Sequence, residues 1–231
     1  MTDGGPDVAA RRVRQAFSAE LDQLRLQVEV MAVRVDQNLE RMREFLLSGD
    51  TSVADRAVNA DDDIDAMNVS LTERCYDLIA REAPVASDLR FVVSVLRVLG
   101  ELERVGDLAL RVVKLAPDWE LLRSGGATYD ILSTMADIAV GQYRMALEAW
   151  SAQDLGLAED LVRSGRVMDS STEQLMRELL RLEGPTAVSC ALRTLVAGRS
   201  LDRIADHSAV IGARLRYLLT GDPDHLATEI R

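Results

Sequence analysis

With 231 residues, 48% of them hydrophobic, the chain can fill one large core or two small ones and falls outside the disordered class. Its 38 acidic residues against 27 basic ones give a formal charge of -11, which excludes an electrostatic nucleic-acid binder and favours a cation or a basic partner. No run approaches the roughly 20 apolar residues that span a bilayer, and Met1 to Pro6 form neither a basic leader nor an export core, so the expected location is cytoplasmic, at most peripheral to a membrane.

Long stretches rich in Ala, Leu, Arg, Glu and Val, without alternating apolar and polar runs, predict an all-α protein. Breakers at Ser48-Gly49-Asp50, Pro84, Pro117 to Gly126, Ala152-Gln153-Asp154 and Gly184-Pro185 divide it into helices over 7–47, 52–82, 88–115, 126–151, 155–182 and 187–219. The first helix carries a long stripe (Val13, Phe17, Leu21, Leu24, Val28, Met31, Val35, Leu39, Met42). One three-helix bundle is not expected to cover all of it, which suggests a homodimer.

The second helix contains Asp61-Asp62-Asp63-Ile64-Asp65, a D-D-x-x-D pattern that in all-α prenyl-diphosphate enzymes chelates Mg²⁺. Such enzymes need a second acid-rich segment across an apolar cavity, and this chain is short and poor in aromatics, so a solvated acidic face is expected for Asp61 to Asp63. Cys75 and Cys190, far apart and without Cys-x-x-Cys or His spacing, are expected to be reduced core thiols.

The third and sixth helices each hold a related hexapeptide, Leu102-Glu103-Arg104-Val105-Gly106-Asp107 and Leu201-Asp202-Arg203-Ile204-Ala205-Asp206, 99 positions apart. Asp50, Ala54, Val58 and Asp65 recur 104 positions later as Asp154, Ala158, Val162 and Asp169. A helix-helix-helix unit has been duplicated, with the boundary near residue 120: residues 1–119 form the first repeat and 120–231 the second. The architecture expected is two tandem, pseudo-symmetric three-helix bundles.

In each hexapeptide two carboxylates stand four positions apart, about 6 Å along one helix face. Glu103 and Asp107 extend the apolar sector of Leu89, Val92, Leu96 and Gly100, while Arg90, Ser94, Arg97, Glu101 and Arg104 read as an ordinary solvated face. Asp202 and Asp206 share the sector of Val188 and Leu195, with Arg193, Ser200, Arg203 and His207 opposite; His207 is expected at the surface. Carboxylates beside an apolar stripe need compensation. A hard divalent cation (Mg²⁺, Mn²⁺, Ca²⁺), carboxylate-bound iron or Zn²⁺ would supply it. Ion pairs with Arg104, Arg203 or arginines of neighbouring helices would do so equally well, and on spacing alone they are the commoner explanation.

The hexapeptides resemble the E(D)xxxD signature of the PhoU family, which occurs once per repeat. Glu82-Ala83-Pro84-Val85-Ala86-Ser87-Asp88-Leu89-Arg90 resembles that family's Q-P-x-A-x-D-L-R lead into its third helix, and Arg199-Ser200-Leu201-Asp202-Arg203-Ile204-Ala205-Asp206-His207 its R-x-L-E-R-I-x-D-H. Ile64-Asp65 and Val167-Met168-Asp169 resemble its second-helix I-D.

The resemblance implies two carboxylate surfaces able to hold divalent metal, with Glu103, Asp107, Asp65 on one and Asp202, Asp206, Asp169 on the other. It also implies a non-enzymatic negative regulator of the phosphate-starvation response, acting between the ATPase subunit of a phosphate ABC transporter and a sensor histidine kinase. Departures bear on the metal: Arg111 and Val210 stand where relatives often have Asn, two short Asp side chains replace Glu plus Asp at the second surface, and Ala187-Val188-Ser189 replaces Asp88-Leu89-Arg90. A metal buffer is the alternative function. The chain has no Glu-x-x-His, phosphate-cradling Gly-rich loop or nucleophile elbow, and His225 is expected in an exposed tail.

Overall fold

A computed structural model describes the backbone over 6–230 and side chains over 14–227. Its long helices are α1 (Pro6–Ser48), α2 (Thr51–Glu82) and α3 (Ala86–Val113), then α5 (Ala127–Ala152), α6 (Leu155–Leu179) and α7 (Ala187–Thr220). Between α3 and α5 lie a 3₁₀ turn at Ala116–Asp118 and the short α4 (Trp119–Arg123); Pro223–Ile230 closes the described chain as 3₁₀. There is no strand among the described residues. The expected helices are therefore present, although α6 ends at Leu179 instead of 182 and the linker folds a helical turn of its own.

The repeated breakers act alike in both copies. Gly49 closes α1 at φ +72°, and Gln153 closes α5 at φ +52°. Asp50 then caps α2 by accepting from Ser52 N at 2.8 Å, as Asp154 caps α6 by accepting from Leu157 N at 3.1 Å. Trp119 lies against Gly49, where a Cβ would meet its ring at 2.6 Å, and its Nε1 donates to Leu46 O at 3.0 Å. Only glycine satisfies both the backbone angle and that approach.

Helices α1, α2 and α3 pack mutually as one three-helix bundle and α5, α6 and α7 as another. The bundles join through α3 on α7 and α1 on α5. Arg90, near the start of α3, donates to Leu218 O near the end of α7 at 3.2 Å, and mid-helix Glu101 meets mid-helix His207, so α3 and α7 run antiparallel. Across α1 and α5, the fully buried Tyr143 hydroxyl donates to Ala32 O at 2.8 Å. Arg144 pairs with Asp36 at 2.7 Å and Glu40 at 2.9 Å, and Arg43 pairs with Asp137 at 3.1 Å.

The α1 stripe is covered internally. Leu24, Val28, Met31, Val35, Leu39 and Met42 are all fully buried, and Phe17 and Leu21 pack against the core; Val13 lies outside the described side chains. The large apolar residues α1 exposes among the described side chains, Leu26, Val30, Val33 and Leu47, lie off that stripe. The reason is the second bundle: α5 lies along α1 and covers what α2 and α3 leave open. Both cysteines are free and buried, as expected, and burial pushes the Cys75 thiol up to about 12. The C-terminal turn packs on α7 and leaves His225 half-buried, not exposed.

Candidate functional site

The duplicated carboxylates sit where α3 meets α2 and where α7 meets α6. In the first half Asp65 of α2 and Glu103 and Asp107 of α3 come together, joined by a residue expected to be solvated: Asp61, which is 7% exposed. Its Oδ1 lies 3.5 Å from where a Cβ on Gly106 would stand, in ordinary van der Waals range, so it is laid over α3. Burial, reinforced by Asp65 and Asp107, pushes the Asp61 carboxyl up to about 6, with Lys114 opposing. Burial and then the charge of Asp107 also raise Asp65 and Glu103, and Arg104 offsets part of the rise at Glu103. Burial first, and then the neighbouring carboxylates, thus disfavour the charged forms of Asp61, Asp65 and Glu103.

The second half brings together Asp169 of α6 and Asp202 and Asp206 of α7. Burial and then Asp202 raise the Asp206 carboxyl, with Arg203 and His207 opposing and Asp169 adding to the rise. Asp202 is already neutralised: Arg199 Nη1 lies 2.7 Å from its Oδ2, and Thr172 donates to Oδ1 at 3.3 Å. The partner is the arginine three residues earlier, not Arg203. In the first half Arg104 pairs at 3.2 Å with Glu101, not with Glu103. The two surfaces are therefore unequal, the first having four carboxylates and no close guanidinium pair among the described residues.

As a donor set for a divalent cation, these clusters offer hard oxygens and an unfavourable accumulation of negative charge that an ion would relieve. Among the described residues, however, no group of three or more Asp, Glu, His or Cys side chains converges closely enough to hold one. The chemistry fits and the side chains are not drawn in, so binding requires the exposed Asp65 and Asp107 to reorient.

The face of α3 expected to be solvated is instead the seam with α7. Ser94 and Glu101 are buried, as are Ser200 and His207 opposite. His207 Nδ1 lies 2.6 Å from Glu101 Oε2. Beside this pair lies an open cleft of about 590 Å³, lined by Arg104, Asp107, Leu108 and Arg111 of α3 and by Leu195, Val196, Arg199, Ser200, Arg203 and His207 of α7. Arg111, which stands where relatives often have Asn, lines this cleft and makes no ion pair with Asp107 among the described residues.

A family model described as the PhoU domain matches residues 28–116 and again 132–215. The phosphate-specific transport system accessory protein PhoU homolog of Pseudomonas aeruginosa is 30% identical over 221 residues, spanning 93% of this chain and 90% of that protein. The homolog of the same name from Deinococcus radiodurans is 32% identical over 213 residues, 90% and 99% of the two chains. The crystal structure of PhoU from Pseudomonas aeruginosa superposes with a TM-score of 0.83 at 30% identity, covering 89% of this chain and 100% of that one. The phosphate transport system regulatory protein PhoU from Streptococcus pneumoniae gives 0.79 at 25%, covering 89% and 98%.

Proposed function

The chain belongs to the PhoU family, and we propose that it is a cytoplasmic accessory regulator of a phosphate-specific transport system, restraining uptake and the starvation response when phosphate is plentiful. The observation that carries this reading is the double match to the PhoU domain, together with relatives named as accessory proteins of that transport system over nine-tenths of their lengths. Its partners in this role are the ATPase subunit of the phosphate transporter and a sensor histidine kinase. It works by docking and not by catalysis. No helix among the described residues is long and apolar enough to cross a membrane, which is compatible with a peripheral role.

The carboxylate clusters are the proposed metal surfaces, with Asp61, Asp65, Glu103 and Asp107 on one and Asp169, Asp202 and Asp206 on the other. A bound divalent cation would supply positive charge; the chain's own residues supply hard oxygen donors whose mutual repulsion it relieves. Self-association is part of the proposal and is supported by exposed Val188, Leu192 and Val196, spaced one turn apart on α7.

Deletion of the gene is expected to leave a phosphate-starvation reporter active in phosphate-rich medium, with the transporter ATPase co-purifying on the tagged protein. A deletion strain that still represses the reporter would overturn the regulatory reading.

A further inference from the structure

The cleft between α3 and α7 differs in charge from the rest of the molecule. In a chain of net charge -11, it gathers four arginines, Arg104, Arg111, Arg199 and Arg203, against one carboxylate, Asp107. Arg104 and Arg199 are partly satisfied by Glu101 and Asp202. Arg111 and Arg203 are exposed, and neither forms an ion pair among the described residues. Guanidiniums held in one concavity repel one another even where Glu101, Asp202 and Asp206 offset part of their charge, and an anion among them relieves that repulsion. His207 also stands at the wall, its Nδ1 engaged by Glu101, so the guanidiniums are the groups that face an anion.

Dimensions narrow the ligand. Arg104 and Arg111 are two turns apart, about 10 Å along α3, and Arg199 and Arg203 one turn apart, about 6 Å along α7. An orthophosphate engages only those guanidiniums that converge on one point, whereas linked phosphoryl groups match a set whose helix positions are spread over that length. Arginine is also the side chain whose planar fork matches phosphate oxygens pairwise. We infer that the α3/α7 cleft binds an anion carrying two or more linked phosphoryl groups, either a free inorganic oligophosphate or the diphosphate of a nucleotide. The inference does not rest on the regulatory or metal readings above.

The test is calorimetric titration of the full chain, in chelator-treated buffer, with tripolyphosphate, pyrophosphate, ADP, AMP and orthophosphate. Tripolyphosphate or pyrophosphate is expected to bind at least tenfold more tightly than orthophosphate, and more weakly as salt rises. An ADP affinity well above that of pyrophosphate would assign a nucleotide; equal affinities would assign the phosphoryl chain alone. Arg111→Ala with Arg203→Ala, both exposed and so harmless to folding, should weaken binding at least tenfold. Arg56→Ala on α2 should leave it within twofold. Absence of binding at millimolar concentrations, or affinity unchanged in the double variant, would overturn the inference. Equally tight competition by a poly-glutamate peptide would also overturn it, because the cleft would then be a docking surface for acidic protein.

Discussion

Glu101 of α3 and His207 of α7 form a buried pair, Oε2 to Nδ1 at 2.6 Å, at the middle of the antiparallel seam between the two bundles. Truncating one member strands the other away from water. Glu101→Ala is expected to cost about 2 kcal/mol in urea denaturation, and Glu101→Gln, which keeps an acceptor, distinctly less. Equal losses would mean that the packing of the chain matters and the hydrogen bond does not.

Asp61 gives the molecule a pH-dependent weakness. Its folded pKa, about 6, lies above its unfolded value, so the folded state holds the proton more tightly. The sign follows: its destabilising contribution is absent below about pH 4, grows as pH rises towards 6, and is complete above that. Asp61→Asn should therefore raise stability at pH 7 by about 1–2 kcal/mol and have no effect near pH 4, as followed by thermal melts across that window.

The same charge predicts metal behaviour. Mn²⁺ or Mg²⁺ should raise the melting temperature more at pH 7 than at pH 5, because protons compete for the carboxylates. Glu103→Ala with Asp107→Ala should abolish most of that gain and of the metal found by elemental analysis. Asp202→Ala with Asp206→Ala should remove less, since Arg199 already holds Asp202. Metal content unchanged in both pairs would make the acids purely structural.

Two glycines should respond oppositely to alanine. A Cβ on Gly198 would meet the buried Leu175 side chain at 2.5 Å, so Gly198→Ala should cost about 1–2 kcal/mol through forced repacking of α6 on α7. Gly141, mid-way along α5 with nothing within 4 Å, should gain about 0.5–1 kcal/mol from the better helix former. Denaturant midpoints of the two variants decide it.

Tyr143→Phe should cost about 1 kcal/mol by leaving Ala32 O without its buried donor. An unchanged midpoint would mean that apolar packing and the Arg144 and Arg43 ion pairs hold the α1/α5 seam without that hydrogen bond.

The helices and their breakers were legible in the sequence because caps, glycines and apolar periodicity are local signals: Asp50 and Asp154 announce α2 and α6 before any packing is considered. The pairing of Glu103 with Asp107 was legible for the same reason. What lay beyond reach was anything set by a second helix. Rotation about α3 alone places Glu101 and Ser94 on its polar side, and only α7 makes that side interior. Asp61 is a like case, one of three consecutive acids of which α3 covers a single member. The one available hint was Ser94 and Ser200, small residues on faces otherwise rich in arginine.

The antiparallel pairing of α3 with α7 brings together the same helix of the two repeats, as an isologous dimer would if its subunits were joined end to end. Glu101 and Ser200 occupy equivalent positions, 99 apart, as do Leu108 and His207. On one side of the internal axis the quartet gives a buried glutamate–histidine pair whose His207 reaches the cleft wall; on the other, Leu108 and Ser200 lie in the arginine-lined opening. Joining the copies in one chain freed them from having to match. Equivalent positions could thus specialise, one side as a fastening and the other as an aperture, which no symmetric pair of identical subunits could do.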